Sequence, residues 1–112
     1  MPETILDRLA RPGVLVADGA TGTNLQQMGL ARGVAPETWV LERPEAIRAL
    51  HRSFLDAGSD YVLTCTFGGT RLRLRHAGLA DRVVEVNRRA VALARAEADG
   101  RAFVAGDIGP TG

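Results

Sequence analysis

The sequence predicts an α/β fold built from consecutive βα units, and three observations support this prediction. Three short apolar runs typical of buried strands alternate with segments whose apolar residues recur at helical spacing. A polar, glycine-rich cluster follows each apolar run. The 112 residues are 46% hydrophobic and 24% charged, as in globular proteins, so we expect a single domain over residues 1–112.

The charge balance and the cysteine content exclude several classes of function. Lys and Arg number 14 and Asp and Glu number 13, so no excess of positive charge favours nucleic acid or an anionic membrane. No apolar stretch is long enough to span a bilayer, and no leader pattern opens the chain, so we expect a cytoplasmic protein. The single cysteine, Cys65, excludes an internal disulfide and makes no thiolate metal site alone.

The first predicted unit begins with a short amphipathic helix carrying Ile5, Leu6 and Leu9. After Pro12 and Gly13, residues 14–17 are predicted to form a buried strand that ends at Asp18. A long polar loop is expected from Gly19 to about Glu42.

The second unit contains the clearest helix. Pro44 suits the first helical turn and Gly58 the carboxyl-terminal cap. Residues 61–66 are predicted to form the second strand, broken at Gly68 and Gly69. The apolar stripe of the helix consists of Ile47, Leu50, Phe54 and Leu55.

The third unit has a short helical run over residues 70–76 and then a longer helix that starts at Asp81 and ends at Gly100. Residues 102–105 are predicted to form the third strand. The apolar face of the longer helix is predicted to carry Val83, Val86, Ala90, Val91 and Ala94.

The spacing of the strands predicts a barrel architecture. Strands joined by right-handed helical crossovers lie parallel. These strands begin about 45 residues apart, so eight such units would form a large eightfold barrel. We therefore expect three βα units of a (β/α)8 TIM barrel, incomplete as given, whose exposed sheet edges favour self-association.

The first polar cluster, residues 18–23, has the character of a binding loop. Asp18 would attract an ammonium group, while the N–H groups from Gly19 onward and the hydroxyls of Thr21 and Thr23 would hold a carboxylate. The alternative is a tight strand-to-helix turn that Asp18 caps.

The second and third clusters lie in the same position on their strands. Alternation places Thr64 and Thr66 on one face of the second strand, with Phe67 at the rim. These residues would form a polar floor and an apolar wall, although strand propensity and packing also explain them. Asp107, after the third strand, is either a carboxylate that faces a ligand or a turn residue. Barrel enzymes keep their active sites at the carboxyl ends of the strands, where all three clusters lie.

These clusters together resemble the homocysteine S-methyltransferase family. The similar segments occur in the order and at the spacing of that family, and the resemblance runs from about Ile5 to Gly112. They are residues 18–23, 36–39, 42–45, 57–60, 64–70 and 106–110.

The resemblance implies the amino-terminal portion of a barrel that transfers a methyl group to the zinc-bound thiolate of homocysteine, giving methionine. The methyl donors in the family are betaine, S-methylmethionine and methylated folate acting through cobalamin. The three cysteines that bind zinc have no counterpart here, so no catalytic or metal-binding residue is expected and the fragment alone should be inactive. By similarity, the substrate-binding residues are Asp18, Gly19, Thr64, Thr66 and Phe67.

Other noticeable residues are expected to have structural roles. Cys65 should pack against the helix layer, and His51 and His76 should pack or face solvent. Trp39 should anchor the long first loop. Residues 71, 73 and 75 form a basic run that should be a solvated helix face.

Two other functions remain open at the level of sequence. One is a non-catalytic truncated barrel that assembles with itself or with a complementing chain. The other is a fragment of an unrelated TIM barrel that binds phosphate through its glycine-rich loops.

Overall fold

The computed structural model describes residues 3–111, so Met1, Pro2 and Gly112 lie outside the described residues. A two-stranded parallel sheet pairs β1 (Tyr61–Leu63) with β2 (Phe103–Ala105). Val62 lies opposite Val104 in this register. The domain is a small α/β unit in which helices pack on the sheet.

Within residues 3–111, six α-helices accompany the two strands, and two 3₁₀ turns, Arg75–Ala77 and Ala80–Arg82, lie between the last two helices. None of the helices in the described range is long and apolar enough to cross a membrane. The helices are α1 (Ile5–Ala10), α2 (Gly22–Gln27), α3 (Thr38–Glu42), α4 (Pro44–Asp56), α5 (Arg71–Leu74) and α6 (Val83–Ala98).

Helix α4 confirms the prediction made from its sequence. Pro44 occupies its first turn, where the missing N–H removes no intrahelical bond. Gly58 follows the helix with a φ of +106°, a conformation that glycine adopts without strain. The stripe of Ile47, Leu50 and Leu55 is buried.

Helix α6 differs from its prediction in its first residue and in the exposure of one side chain. Asp81 lies in the 3₁₀ turn rather than opening the α-helix, which begins at Val83. Val86, Ala90 and Ala94 are buried as expected. Val91, which was expected on the same face, is 37% exposed and lines a cleft beside Phe103 and Val104 of β2.

The prediction of a buried first strand over residues 14–17 is wrong in extent and in burial. Only Ala17 pairs with the sheet, through a single parallel bridge to Tyr61. Val14 is 82% exposed and Val16 is 53% exposed. A strand needs neighbours and a covering layer to become buried. In the described residues this segment borders no strand other than the start of β1, where the carbonyl of Val16 accepts the N–H of Asp60 at 2.7 Å.

The predicted loop over residues 19–42 is also corrected, since it contains α2 and α3. Both helices are at most 6 residues long, too short to be stable without tertiary contacts. Leu25 of α2 and Trp39 of α3 supply those contacts in a core cluster with Ile47 and Leu50. Trp39 therefore anchors this segment as predicted, and Arg43 lies 4.6 Å from the centre of its ring.

The second strand is shorter than predicted and the third begins one residue later. β1 ends at Leu63 rather than Thr66, although the N–H of Thr64 still donates to the carbonyl of Ala105 at 2.9 Å. The chain then turns, because the N–H of Gly69 donates to the carbonyl of Thr66 at 2.9 Å.

A charged cluster joins the two long helices outside the apolar core. Glu97 of α6 accepts from Arg48 Nε and Arg52 Nη2 of α4, each at 2.7 Å. The Glu97 side chain is buried while both arginines are half exposed. These ion pairs lower the pKa of Glu97 to about 2, with the Arg52 hydrogen bond as the largest cause.

Candidate functional site

A cleft of about 460 Å³ opens where the strands end. Four of the five sequence-predicted residues line it, and we call it the rim pocket. Thr66 is the predicted residue that is not in its lining. The pocket is lined by Asp18, Gly19, Thr21, Gly22, Ala35, Pro36, Glu37, Leu63, Thr64, Cys65, Phe67, Gly68, Arg73 and Asp107.

Asp18 is tied to the neighbouring strand rather than to a helix. Its Oδ2 accepts the N–H of Leu63 at 3.0 Å. The predicted strand-to-helix turn exists, but Thr21 is the residue that precedes α2, so Asp18 does not cap that helix. The carboxylate is therefore fixed by a backbone bond at the wall of the pocket.

The surroundings of Asp18 disfavour its charge. Burial raises the pKa of Asp18, the N–H groups of Leu63 and of Asp18 itself oppose that rise, and the carboxylate of Asp107 adds to it. A carboxylate held at such a cost favours a cationic partner, because an opposite charge restores the ionised form.

Gly19 allows the first loop to lie close to the helix layer. A Cβ at this position would lie 3.0 Å from the Phe54 ring, which is tighter than most real Cβ contacts. The backbone of this loop therefore packs directly on an aromatic ring, and a larger residue would require the ring or the loop to move.

Thr64 and Thr66 form a closed chain of hydrogen bonds with the backbone of Asp107. The hydroxyl of Thr66 donates to the carbonyl of Asp107 at 2.6 Å, and the N–H of Asp107 donates to Thr64 Oγ1 at 3.1 Å. The remaining bond, 2.7 Å between the hydroxyls, must then run from Thr64 to Thr66. Both hydroxyl protons are used within the protein, so a ligand would meet only the acceptor sites of Thr64.

A glutamate that the sequence reasoning did not select lies deep in the pocket wall. Glu37 is 4% exposed, and its Oε1 accepts the N–H of Gly68 at 2.7 Å. The adjacent Phe67 ring is 51% exposed at the mouth of the pocket. The only sequence signal for Glu37 was its place in one of the segments that carry the family resemblance.

The turn over residues 67–69 is held from two further directions. Asn87 of α6 donates from Nδ2 to the carbonyl of Gly69 at 2.8 Å. A Cβ at Gly109 would overlap the carbonyl oxygen of Phe67, so the segment after β2 passes directly against this turn. The position of the Phe67 ring is thus set by backbone contacts from several elements.

Arg73 supplies the guanidinium among the lining residues, which also include three carboxylates. It belongs to the basic run that was predicted to be solvated, and residues 71, 73 and 75 are indeed exposed. The described residues form no ion pair with Arg73 at the distances of a salt bridge. The pocket therefore presents both a cation and anions, as a zwitterionic ligand requires.

The residues present do not fit a zinc site. Within residues 3–111, no group of three or more His, Cys, Asp or Glu side chains is placed to hold a metal ion. Cys65 is buried in the core cluster as predicted, and burial raises the pKa of its thiol. It therefore presents no thiolate to a metal.

The two histidines lie away from the pocket, as predicted. His51 is buried in α4 and His76 is exposed in a 3₁₀ turn. Burial lowers the pKa of His51, and within the described range its Nε2 has no hydrogen-bond partner.

Comparison with known proteins identifies similar sequences. A family model described as homocysteine S-methyltransferase matches residues 15–112. Methionine synthase of Mycobacterium tuberculosis is 35% identical over 118 residues, which cover 95% of this chain and 10% of that protein. Betaine–homocysteine S-methyltransferase 1 of Bos taurus is 39% identical over 114 residues, which cover 96% of this chain and 28% of that protein.

A solved structure supports the same likeness. The metallated form of the homocysteine methyltransferase MmuM from Escherichia coli aligns with a TM-score of 0.81 and 25% identity, covering 93% of this chain and 40% of that chain. The chain therefore spans between 10% and 40% of the length of these three similar proteins.

Proposed function

Since the chain belongs to the homocysteine S-methyltransferase family, we propose that its rim pocket binds the amino-acid head group of homocysteine for methyl transfer to the homocysteine sulfur. The observation that carries this proposal is the convergence of Asp18, Gly19, Thr64 and Phe67 on one cleft. We further propose that the chain is the amino-terminal portion of a (β/α)8 barrel that transfers the methyl group of a donor to this sulfur.

Each lining residue has a role that follows from its chemistry. Asp18 binds the ammonium group of the substrate, and an incoming cation offsets the burial that raises the pKa of Asp18. Arg73 and the backbone around Gly19 hold the substrate carboxylate. Phe67 supplies an apolar wall for the carbon chain.

Thr64 and Thr66 act together rather than as separate donors. Thr66 holds Thr64 and Asp107 in place through the closed chain of hydrogen bonds, and Thr64 faces the pocket. The family resemblance implies that zinc activates the thiolate of homocysteine, but the residues described here provide no site for zinc.

Binding of L-homocysteine to the chain, measured by calorimetry in reducing buffer, tests the proposal. We expect saturable binding that Asp18→Asn weakens at least about tenfold, which corresponds to about 1.4 kcal/mol. Asp81→Asn is the matched control, because Asp81 is exposed in a 3₁₀ turn. Equal affinities of the two variants, or tighter binding of inorganic phosphate than of homocysteine, would refute it.

A second candidate function is favoured by the uncovered side of the sheet. A non-catalytic barrel portion that assembles with another polypeptide would bury the apolar groove lined by Ile5, Leu9, Leu15, Tyr61 and Phe103. Sedimentation over a range of concentrations tests this candidate. A species whose mass rises with concentration while homocysteine fails to bind would favour assembly over substrate binding.

A further inference from the structure

Glu37 combines deep burial with a hydrogen bond to a distant part of the chain. It precedes α3, whereas its partner, the N–H of Gly68, follows β1 and lies 31 residues away. A buried carboxylate is costly unless hydrogen bonds offset the loss of water. The Gly68 N–H supplies such a bond, so the contact joins the first long loop to the turn that carries Phe67.

The contact with Glu37 leaves little room for a side chain at Gly68. A Cβ there would come within 3.1 Å of Glu37 Oε2 and 3.2 Å of Glu37 Cδ. Both contacts are tighter than nearly all real Cβ contacts, so the carboxylate fills the space that a side chain at position 68 would need. The wall of the rim pocket at this point is consequently a carboxylate.

The turn of residues 67–69 has other supports, and they leave one side open. Asn87 holds the carbonyl of Gly69, and the backbone at Gly109 lies against the carbonyl of Phe67. The Gly109 contact bears on the carbonyl oxygen of the peptide between Phe67 and Gly68, and neither contact binds the N–H of that peptide. The Glu37 bond acts on that peptide and therefore sets the direction in which the Phe67 ring leaves the backbone.

We propose that Glu37 is a positioning residue of the rim pocket, which fixes the Phe67–Gly68 peptide and thereby the apolar wall that the substrate meets. Its second oxygen, Oε2, accepts no hydrogen bond from the described residues, so it is an acceptor that this wall can offer to a ligand. The ligand that would meet this wall is homocysteine, so this part of the inference rests on the proposed function.

Amide hydrogen exchange and ¹H–¹⁵N chemical shifts of the chain test the positioning role without any ligand. In Glu37→Ala we expect the Gly68 amide to shift upfield and to exchange at least about tenfold faster relative to Val62. Glu37→Gln keeps an acceptor oxygen and should restore most of that protection. Glu42→Ala is the matched control, since Glu42 is exposed in α3.

A second pair of variants keeps the test decisive if Glu37→Ala does not fold. Gly68→Ala adds a methyl group against the Glu37 carboxylate and should disturb the Phe67 ring resonances, whereas Glu37→Gln, which keeps the shape of the side chain, should leave them nearly unchanged. An unchanged Gly68 amide in Glu37→Ala, or no rescue by Gln, would overturn the positioning role.

Ligand affinity separates this inference from the proposed function. If the chain binds L-homocysteine, Glu37→Gln should stay within about threefold of the parent affinity and Glu37→Ala should lose about tenfold. If the parent chain does not bind homocysteine, the proposed function fails, and the Gly68 amide alone decides the role of Glu37.

Discussion

The helix-covered side of the sheet and the rim at the carboxyl ends of the strands are built by the same short strands but stabilised in different ways. On the covered side, Val62 is fully buried against residues of α4 and α6. At the rim, polar side chains bind backbone groups, while Leu63 and Phe67 stay exposed. The contrast indicates that packing on the covered side stabilises the fold. The rim contributes less to stability and keeps polar and aromatic groups accessible to a ligand.

The largest expected effect breaks the covered side at Val62. Val62→Ala removes two buried methyl groups and leaves a cavity, so we expect a loss of about 2–3 kcal/mol in the free energy of unfolding. Leu63→Ala is the matched control on the next residue, which is 36% exposed, and should cost no more than about 1 kcal/mol. Urea denaturation measures both values, and equal losses would remove the contrast between the two sides.

The next effect concerns the ion pairs between α4 and α6. Glu97→Gln keeps the shape of the side chain but removes the charge that two arginines bind, so we expect a loss of about 1–2 kcal/mol. Thermal unfolding of the variant at neutral pH checks this value. Glu85→Gln, whose partners Arg82 and Arg89 lie on or next to the same helix, should lower Tm less.

The same ion pairs predict how stability depends on pH. The pKa of Glu97 is about 2 when folded and its ordinary value is 4.5, so folding is favoured by the ionised form. This stability is fully present above pH 4.5 and is lost as the pH falls toward 2. In Glu97→Gln that part of the acid dependence should disappear, and a parallel pH profile in both proteins would contradict the assignment.

The sequence predicted the elements whose stability is encoded locally. The apolar stripes of α4 and α6 repeat over several turns, and their caps, such as Gly58, lie beside them in the chain. The position of the polar clusters also follows from the order of strands and helices along the chain, because parallel strands bring their carboxyl ends to one edge of the sheet. These two facts suffice to bring Asp18, Thr64 and Phe67 to one cleft.

The parts that could not be predicted depend on distant partners. Helices α2 and α3 form because Leu25 and Trp39 pack against residues of α4. No pattern in the local sequence predicts these two helices. Glu37 becomes a pocket residue only through Gly68, which is remote in sequence. Arg73 lies in a run that reads as a solvated face, and the fold brings one of its arginines to the pocket.

A smaller effect on stability, with a larger one on binding, is expected at Asp18. Burial raises the pKa of Asp18, so its charged form opposes folding at neutral pH, and Asp18→Asn should change the free energy of unfolding by no more than about 0.5 kcal/mol. Asparagine keeps an oxygen for the Leu63 N–H. Urea denaturation of the variant checks this, and a loss as large as that of Val62→Ala would make Asp18 a structural residue.

Binding at Asp18 should also depend on pH in a defined direction. The ionised form attracts the substrate ammonium, so affinity for L-homocysteine should be steady near neutrality and fall on acidification. Because the pKa of Asp18 is raised, the fall should begin at a higher pH than an ordinary aspartate would give. Calorimetry between neutral and acidic pH shows this, and a profile identical to that of Asp18→Asn would contradict it.

The smallest expected effect on stability lies at the open edge beside β1. Val16 is 53% exposed and only its backbone is engaged, by Asp60, so Val16→Lys should leave the unfolding midpoint nearly unchanged. A lysine on an edge strand opposes pairing with another chain, so the variant should reduce concentration-dependent self-association in sedimentation. Val84→Lys adds the same charge at an exposed site of α6 and should not. If both variants associate as the parent does, association uses the free edge of β2 or the apolar groove instead, and the edge at Val16 is a passive surface.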